Sequence, residues 1–207
     1  MKILLTGFGP FMTVKENVSE RLARDIERTW RKNGWKLKVV IAPVEWTATE
    51  RLLEKELARY RPDIIVGLGH GEPCASLEIE LRHFNKADER DNAGELRDGG
   101  VVKKEGPDSY AANIDAHALV EYLLRQQIPA VIHDAREGVS YLCNFAGYII
   151  ANAVCTMAGL ERSRFVFIHI PSPKDLDYKT SLCGVEKALD FLTQKTDENG
   201  DSQAARK

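Results

Sequence analysis

Apolar positions along the chain switch repeatedly between two spacings. Lys2 to Thr6 is a short apolar run halted by Gly7, the form of a buried strand. Val18, Leu22, Ile26 and Trp30 then recur at helical spacing, drawing one apolar stripe down a helix that ends near Asn33-Gly34. Leu37 to Ala42, closed by Pro43, reads as a second strand. Thr47-x-x-Glu50 has the form of a capping box opening a helix that buries Leu53, Leu57 and Tyr60. Asp63 to Leu68 is a third strand, with Gly67, Gly69 and Gly71 loosening the loop behind it, and Ala75 to Leu81 is a candidate fourth.

From Asn85 to Pro107 the periodicity disappears and charge and glycine take over. Such a stretch is either a solvated excursion or a long loop covering a site, and composition favours neither. Order then returns. Asn113 is a candidate N-cap for a helix with Ala116, Val120, Leu123 and Leu124 on its apolar face, and Ala130 to His133 is a short strand. Tyr141 to Ala158 is apolar nearly all round, which predicts a buried helix. Arg164 to Ile170 is a strand stopped by Pro171, and Leu182, Val185, Leu189 and Leu192 mark a last amphipathic helix. The polar composition from Lys195 onward predicts a disordered tail, leaving residues 1–194 as one domain without internal repeats or linkers.

Short apolar strands alternating with helices predict an α/β fold, a single-domain α/β/α sandwich around a mainly parallel central sheet. Sites in such sheets form at the carboxyl ends of strands. That rule selects the loops Gly7 to Phe11 and Leu68 to Pro73 and the segment after Ile170.

Charge narrows the partners. The net charge is −2, acids and bases are interspersed, and no long basic run occurs, so neither nucleic acid nor a membrane surface is expected as a partner. The N-terminal apolar run is too short for a signal-peptide core, which predicts a cytoplasmic protein. The four cysteines (Cys74, Cys143, Cys155 and Cys183) show no CxxC pair and no zinc-like spacing. Reduced thiols and no metal are expected.

Cys143, in Tyr141-Leu142-Cys143-Asn144, falls at the amino end of the buried helix. The free N–H groups and the dipole there favour a thiolate and could donate to an oxyanion. A buried inert cysteine is the competing reading. His169 is the one histidine of five inside a hydrophobic strand, and its two ring nitrogens need partners in either a structural or a catalytic role. Glu78 and Glu80 share one face of their strand beside His83, a solvated face or the source of an acid that orients His169. Gly67-Leu68-Gly69-His70-Gly71 lacks the GxGxxG spacing and the phosphate-loop lysine, and no GxSxG elbow occurs.

Thr6-Gly7-Phe8-Gly9-Pro10-Phe11 with Asn17, Tyr141-Leu142-Cys143-Asn144, and Phe167-Ile168-His169-Ile170-Pro171 together resemble the pyroglutamyl peptidase I family, in order and spacing, over about residues 1 to 192. The resemblance implies an α/β/α sandwich and a cysteine peptidase that cleaves after an N-terminal pyroglutamyl residue. It also implies that the enzyme needs no cofactor or metal, acts on a small peptide substrate, and assembles as a homo-oligomer, often a tetramer. Its catalytic Cys, His and Glu map onto Cys143, His169 and Glu80. Glu80 is taken over Glu78 because the family places its glutamate five residues before an asparagine, here Asn85. Phe8, Phe11 and Asn17 match positions lining the lactam pocket, and Cys143 N–H with Arg90 match an oxyanion site. Met12-Thr13, Val18, Leu81 and the residues Arg136 and Glu137 before Tyr141 depart from the family pattern. The runner-up functions are a thiol hydrolase of another small amide and an inactive binding protein of the same fold.

Overall fold

Eight strands and five helices succeed one another along the described residues, which are 1–71, 73–134 and 141–194 of this computed structural model. They are β1 (Lys2–Phe8), α1 (Val18–Thr29), β2 (Lys36–Ala42), α2 (Trp46–Tyr60), β3 (Ile64–His70), β4 (Leu77–Glu80) and β5 (Arg82–Phe84). After these come β6 (Ser109–Ala111), α3 (Ala116–Arg125), β7 (Ala130–His133), α4 (Leu142–Thr156), β8 (Arg164–Ile170) and α5 (Tyr178–Leu192). Six strands form one sheet in the order β2-β1-β3-β8-β4-β7, and β5 and β6 make a separate antiparallel pair. Neighbours in the large sheet are parallel except at β4 against β8. A parallel return needs a crossover of a dozen or more residues. The connection 71–76 is too short for one, so β4 runs back from the rim where β3 ends.

Alternation along each strand sends side chains into two helical layers. Ile3, Leu5, Ile64, Val66, Leu68, Ile79, Val166 and Ile168 pack with α1, α3 and α5. Leu4, Phe8, Ile65, Phe165 and Phe167 pack with α2 and α4 on the other face. The same parity turns Gly67, Gly69, Glu78, Glu80, His133 and His169 toward the α4 face, and the site is built there. The α/β/α layering and mainly parallel sheet agree with the sequence pattern. Among the described residues no helix is long and apolar enough to cross a membrane.

Several local expectations need correction. Helix α2 starts at Trp46 behind Glu45, with no side-chain cap hydrogen bond, so Thr47 is not an N-cap. Glu50 instead pairs with Arg97 at 2.5 Å and Lys103 at 2.7 Å, cations supplied by the charged stretch that has no hydrophobic period to reveal it. Asp115, not Asn113, caps α3 by accepting from Ala118 N–H, while Asn113 joins two loops through Ser163 O and Phe165 N–H. Leu119 fills the buried face of α3 and Leu124 is exposed. The 85–107 excursion is tied down rather than loosely solvated: Asp91 accepts from the backbone N–H of Trp46, Ala93 and Glu95. The tail expected from Lys195 onward, and Arg136 and Glu137, lie outside the described residues.

Candidate active site

Gly69 marks the centre of the site. A Cβ built on it would lie 2.7 Å from Cys143 Sγ and 2.7 Å from His169 Cδ2, so sulfur and imidazole flank the same missing side chain. Register explains the meeting. His169 on β8 pairs with Gly69 on β3 and with Glu78 on β4, putting a residue without a side chain beside the imidazole. Helix α4 lies across this face and brings Cys143 in its first turn. The first N–H groups of a helix have no partner within it, and Tyr141 supplies no side-chain cap. Cys143 keeps a partly open surface although protein atoms crowd its sulfur.

Glu80 stands on the far side of His169. Its Oε1 is 3.1 Å from His169 Nε2 and its Oε2 is 3.0 Å from His83 Nδ1, with both Glu80 and His83 side chains 1% exposed. These are close polar contacts, short of full hydrogen-bond geometry. His83 was legible only as a neighbour of the two glutamates. The structure adds that its ring fills the space left by Gly147 on α4. Glu78, the other acid of this strand face, is turned to His133 and His169 instead. Its Oε1 is 3.4 Å from His133 Nδ1 and its Oε2 is 4.0 Å from His169 Nδ1.

Protonation is set by this packing. Burial pushes the Cys143 thiol up, the Glu80 charge adds to the rise, and a hydrogen bond from the His70 backbone N–H offsets only part of it. The direction is opposite to the lowered thiol pKa expected from the helix amino end, with burial as the largest cause. Burial pulls His169 down against the opposing charges of Glu80 and Glu78. Burial also acts to raise Glu80, but His169, His83 and His133 outweigh it, and the carboxyl stays below its ordinary range. At neutral pH the three groups are accordingly thiol, neutral imidazole and carboxylate.

The remaining candidates occupy different environments. Phe8 is in the α2/α4 core and 3% exposed, beneath the site rather than open to it. Phe11 is half-buried, with its ring edge-on to His70 at 5.7 Å. Asn17 caps α1: its Oδ1 accepts from Ser19 N–H and Oγ–H, and its Nδ2 donates to Gly9 O, which fixes the loop after β1. Arg90 is exposed and donates to Gly94 O, so its guanidinium is engaged in its own loop and not among the groups acting on the thiol. Asn144, next to the cysteine, accepts from Phe84 N–H and donates to Phe84 O and Lys86 O. It anchors the excursion to α4.

A cavity of about 390 Å³ opens between the loops after β1, β3 and β8, bordered by Val14, Asn17, His70, Gly71, Pro73 and Ser172. Two of the three loops selected from the strand ends, those after β3 and β8, meet here, and Gly7 to Phe11 does not line it. A larger cavity of about 540 Å³ lies under the excursion beside Trp46 and Leu96, and Cys143, His169 and Glu80 line neither cavity.

Known proteins resemble this chain in architecture and, more distantly, in sequence. A family model described as pyroglutamyl peptidase matches residues 1–190. A pyrrolidone-carboxylate peptidase from Saccharolobus islandicus is 30% identical over 209 residues, covering 96% of this chain and 98% of its own. One from Pyrococcus furiosus is 30% identical over 173 residues, covering 83% and 81%. Among solved structures, a mutant pyrrolidone carboxyl peptidase from P. furiosus aligns with a TM-score of 0.86 at 24% identity, over 95% of this chain and 100% of that one. Pyroglutamyl peptidase I from Bacillus amyloliquefaciens aligns at 0.82 and 22% identity, over 90% and 94%. At these identities the solved structures speak for the fold, and the family match and the 30% relatives speak for descent. The chain belongs to the pyroglutamyl peptidase family.

Proposed function

We propose that this protein is a cysteine peptidase that hydrolyses the amide bond after an N-terminal pyroglutamyl residue, with Cys143 as nucleophile, His169 as base and Glu80 as the acid that orients the imidazole. The observation that carries the reading is the shared 2.7 Å approach of Cys143 Sγ and His169 Cδ2 to the Gly69 position, with Glu80 3.1 Å from His169 Nε2.

Because thiol and imidazole are both neutral, the proton leaves sulfur as attack begins. A half-turn of the ring about Cβ–Cγ exchanges Cδ2 with Nδ1, which brings a basic nitrogen to the sulfur; it also puts Cε1 in place of Nε2 beside Glu80, whose charge then acts on the ring without the 3.1 Å contact. The S–C bond forms at the pyroglutamyl carbonyl, and the oxyanion is received by N–H groups of the first turn of α4. His169 passes the proton to the departing amine as the C–N bond breaks. Water then attacks the thioester, gives a proton to His169 and releases pyroglutamate, and the proton returns to sulfur. Glu80 stabilises the transient imidazolium. Phe11 offers the lactam an apolar wall, Phe8 supports the site from beneath, and Asn17 holds the loop carrying Phe11. A small cyclic ligand supplies little binding energy, so a closely fitted pocket is required.

The test is hydrolysis of a chromogenic pyroglutamyl amide by wild type, Cys143→Ser and His169→Gln. Activity in wild type and loss of at least about 1000-fold in both variants supports the reading. Cleavage of other amides only would assign a different substrate. Equal rates in wild type and Cys143→Ser would remove the nucleophile.

A further inference from the structure

Glu78 and His133 face the back of the imidazole, and the proposed reaction uses neither. Together with His169 they offer three metal-ligating atoms that all lie within 4.8 Å of one another. Each oxygen of Glu78 is turned toward a different imidazole nitrogen, at 3.4 Å for His133 and 4.0 Å for His169. The two rings stand edge to face, 5.8 Å apart. A tetrahedral zinc ion, about 2.0–2.2 Å from nitrogen and oxygen, needs its ligand atoms roughly 3.3 Å apart. The His133 contact already has that spacing, and the His169 contact of 4.0 Å must shorten by about 0.7 Å. All three side chains are partly buried, with exposures of 29% for His133, 14% for Glu78 and 13% for His169, so an ion can reach them. Gly71 leaves the approach open: a Cβ there would crowd Glu78 Oε2 at 3.3 Å and His169 Cβ at 3.1 Å, and Gly71 also borders the 390 Å³ cavity.

We infer that Glu78, His133 and His169 form a binding site for a borderline transition-metal dication such as Zn²⁺, with two imidazoles, one carboxylate and an open fourth position. Two imidazole nitrogens and a carboxylate oxygen suit Zn²⁺ over Mg²⁺ or Ca²⁺, which prefer all-oxygen shells. The ion takes His169 by Nδ1 and holds the ring as it stands, with carbon Cδ2 rather than a nitrogen toward the Cys143 sulfur. Occupation therefore removes the base, and the site acts as an inhibitory clamp. The inhibition rests on the proposed function; the binding does not.

Calorimetric titration of the full chain with Zn²⁺ tests the binding, using wild type, Cys143→Ser, Glu78→Gln and His133→Asn, with circular dichroism checking that each folds. One ion per chain is expected in wild type and in Cys143→Ser. Loss of an outer-shell partner weakens metal binding about 10- to 100-fold, and loss of a ligand should cost at least that in Glu78→Gln and His133→Asn. Co²⁺ absorption of the wild type gives a reading that needs no variant: d–d bands without a thiolate charge-transfer band are expected. Three results would overturn the site. These are no stoichiometric binding, binding abolished by Cys143→Ser with a thiolate band present, or undiminished affinity in both Glu78→Gln and His133→Asn. In wild type, Zn²⁺ should suppress pyroglutamyl amide hydrolysis and a chelator should restore it. If no such hydrolysis exists, the titration still decides the site.

Discussion

The imidazole of His83 occupies the volume that a side chain at Gly147 would fill: a Cβ there would run into Nδ1, Cε1 and Cγ of the ring. Helix α4 thus gives up a side chain in its buried middle to admit a histidine whose Nδ1 reaches Glu80. Alanine is favoured over glycine in a helix by about 1 kcal/mol. Gly147→Ala should nevertheless destabilise the protein, because a packed ring must move, and overpacking of this kind costs about 1–3 kcal/mol. Urea unfolding reads the result. A midpoint at or above wild type would mean that the ring has room to give.

His83→Leu separates support of the acid from support of the fold. The variant leaves Glu80 Oε2 without its 3.0 Å neighbour, and the partner that helps hold the carboxyl down is lost. His83 is 1% exposed and does not reach substrate, so KM should hold while kcat falls about tenfold, equivalent to about 1.4 kcal/mol of barrier. The acid limb of the profile should also move up. Unchanged kcat with lowered stability would leave His83 a purely structural residue.

Gly69→Ala places a methyl between the sulfur and the imidazole. Both neighbours would sit at 2.7 Å, closer than real Cβ contacts, so at least one must be displaced. A displacement of about 1 Å at reacting groups can cost about 100-fold in rate. The expected variant folds, with a stability loss inside the range of about 1–3 kcal/mol, and loses at least that factor in kcat/KM. Steady-state kinetics beside thermal unfolding would check it, and near-normal turnover would contradict the convergence of sulfur and imidazole on this glycine.

How much of the molecule was legible depends on the distance over which each signal acts. Hydrophobic period marked the six strands of the large sheet because burial is imposed residue by residue: the Arg164–Ile170 run appears unaltered as β8, while the three-residue β5 and β6 carry no such run. Parity was also readable, since Glu78 and Glu80 had to share a face. The reversal of β4 follows from a connection too short for a parallel crossover, but its place beside β8 was not readable, because that depends on strands distant in sequence. The roles of Asn113 and Thr47 were misread because a cap motif specifies local chemistry, while Asn113 finds partners some fifty residues away. Gly69 stood in the sequence as a loosening element of a loop. Only the register with His169 shows that it clears space for two reacting groups.

Asn144 shares the cysteine motif but belongs to the scaffold. It is fully buried and makes three hydrogen bonds, to Phe84 N–H, Phe84 O and Lys86 O. Asn144→Ala strands buried backbone groups, each costing about 1–3 kcal/mol when left unpaired. A total loss of about 2–4 kcal/mol is expected, with faster amide exchange at Phe84 and Lys86. A loss under about 1 kcal/mol would show that the excursion holds to α4 without it.

The pH behaviour of Cys143 and His169 tests the protonation of the whole site. Burial raises the thiol and lowers the imidazole, so the free enzyme carries both in neutral form. Alkylation of Cys143 by iodoacetamide should therefore show a rate midpoint above the ordinary ~8.5 of a thiol. Because the base is the neutral imidazole and its affinity for protons is depressed, the acid limb of kcat/KM should lie below the ordinary ~6.5 of histidine. Stability carries the same sign. As the pH falls through about 6.5 the unfolded chain takes up a proton at His169 before the folded chain does, so the stabilisation is lost on acidification. Glu80, whose folded carboxyl is held low, loses its contribution at still lower pH as it is finally protonated. Alkylation read by mass spectrometry at Cys143, beside a kcat/KM profile, decides the matter. A thiol midpoint below ~8.5 together with an acid limb above ~6.5 would mean that the site rests as a thiolate–imidazolium pair, with the helix amino end overcoming burial.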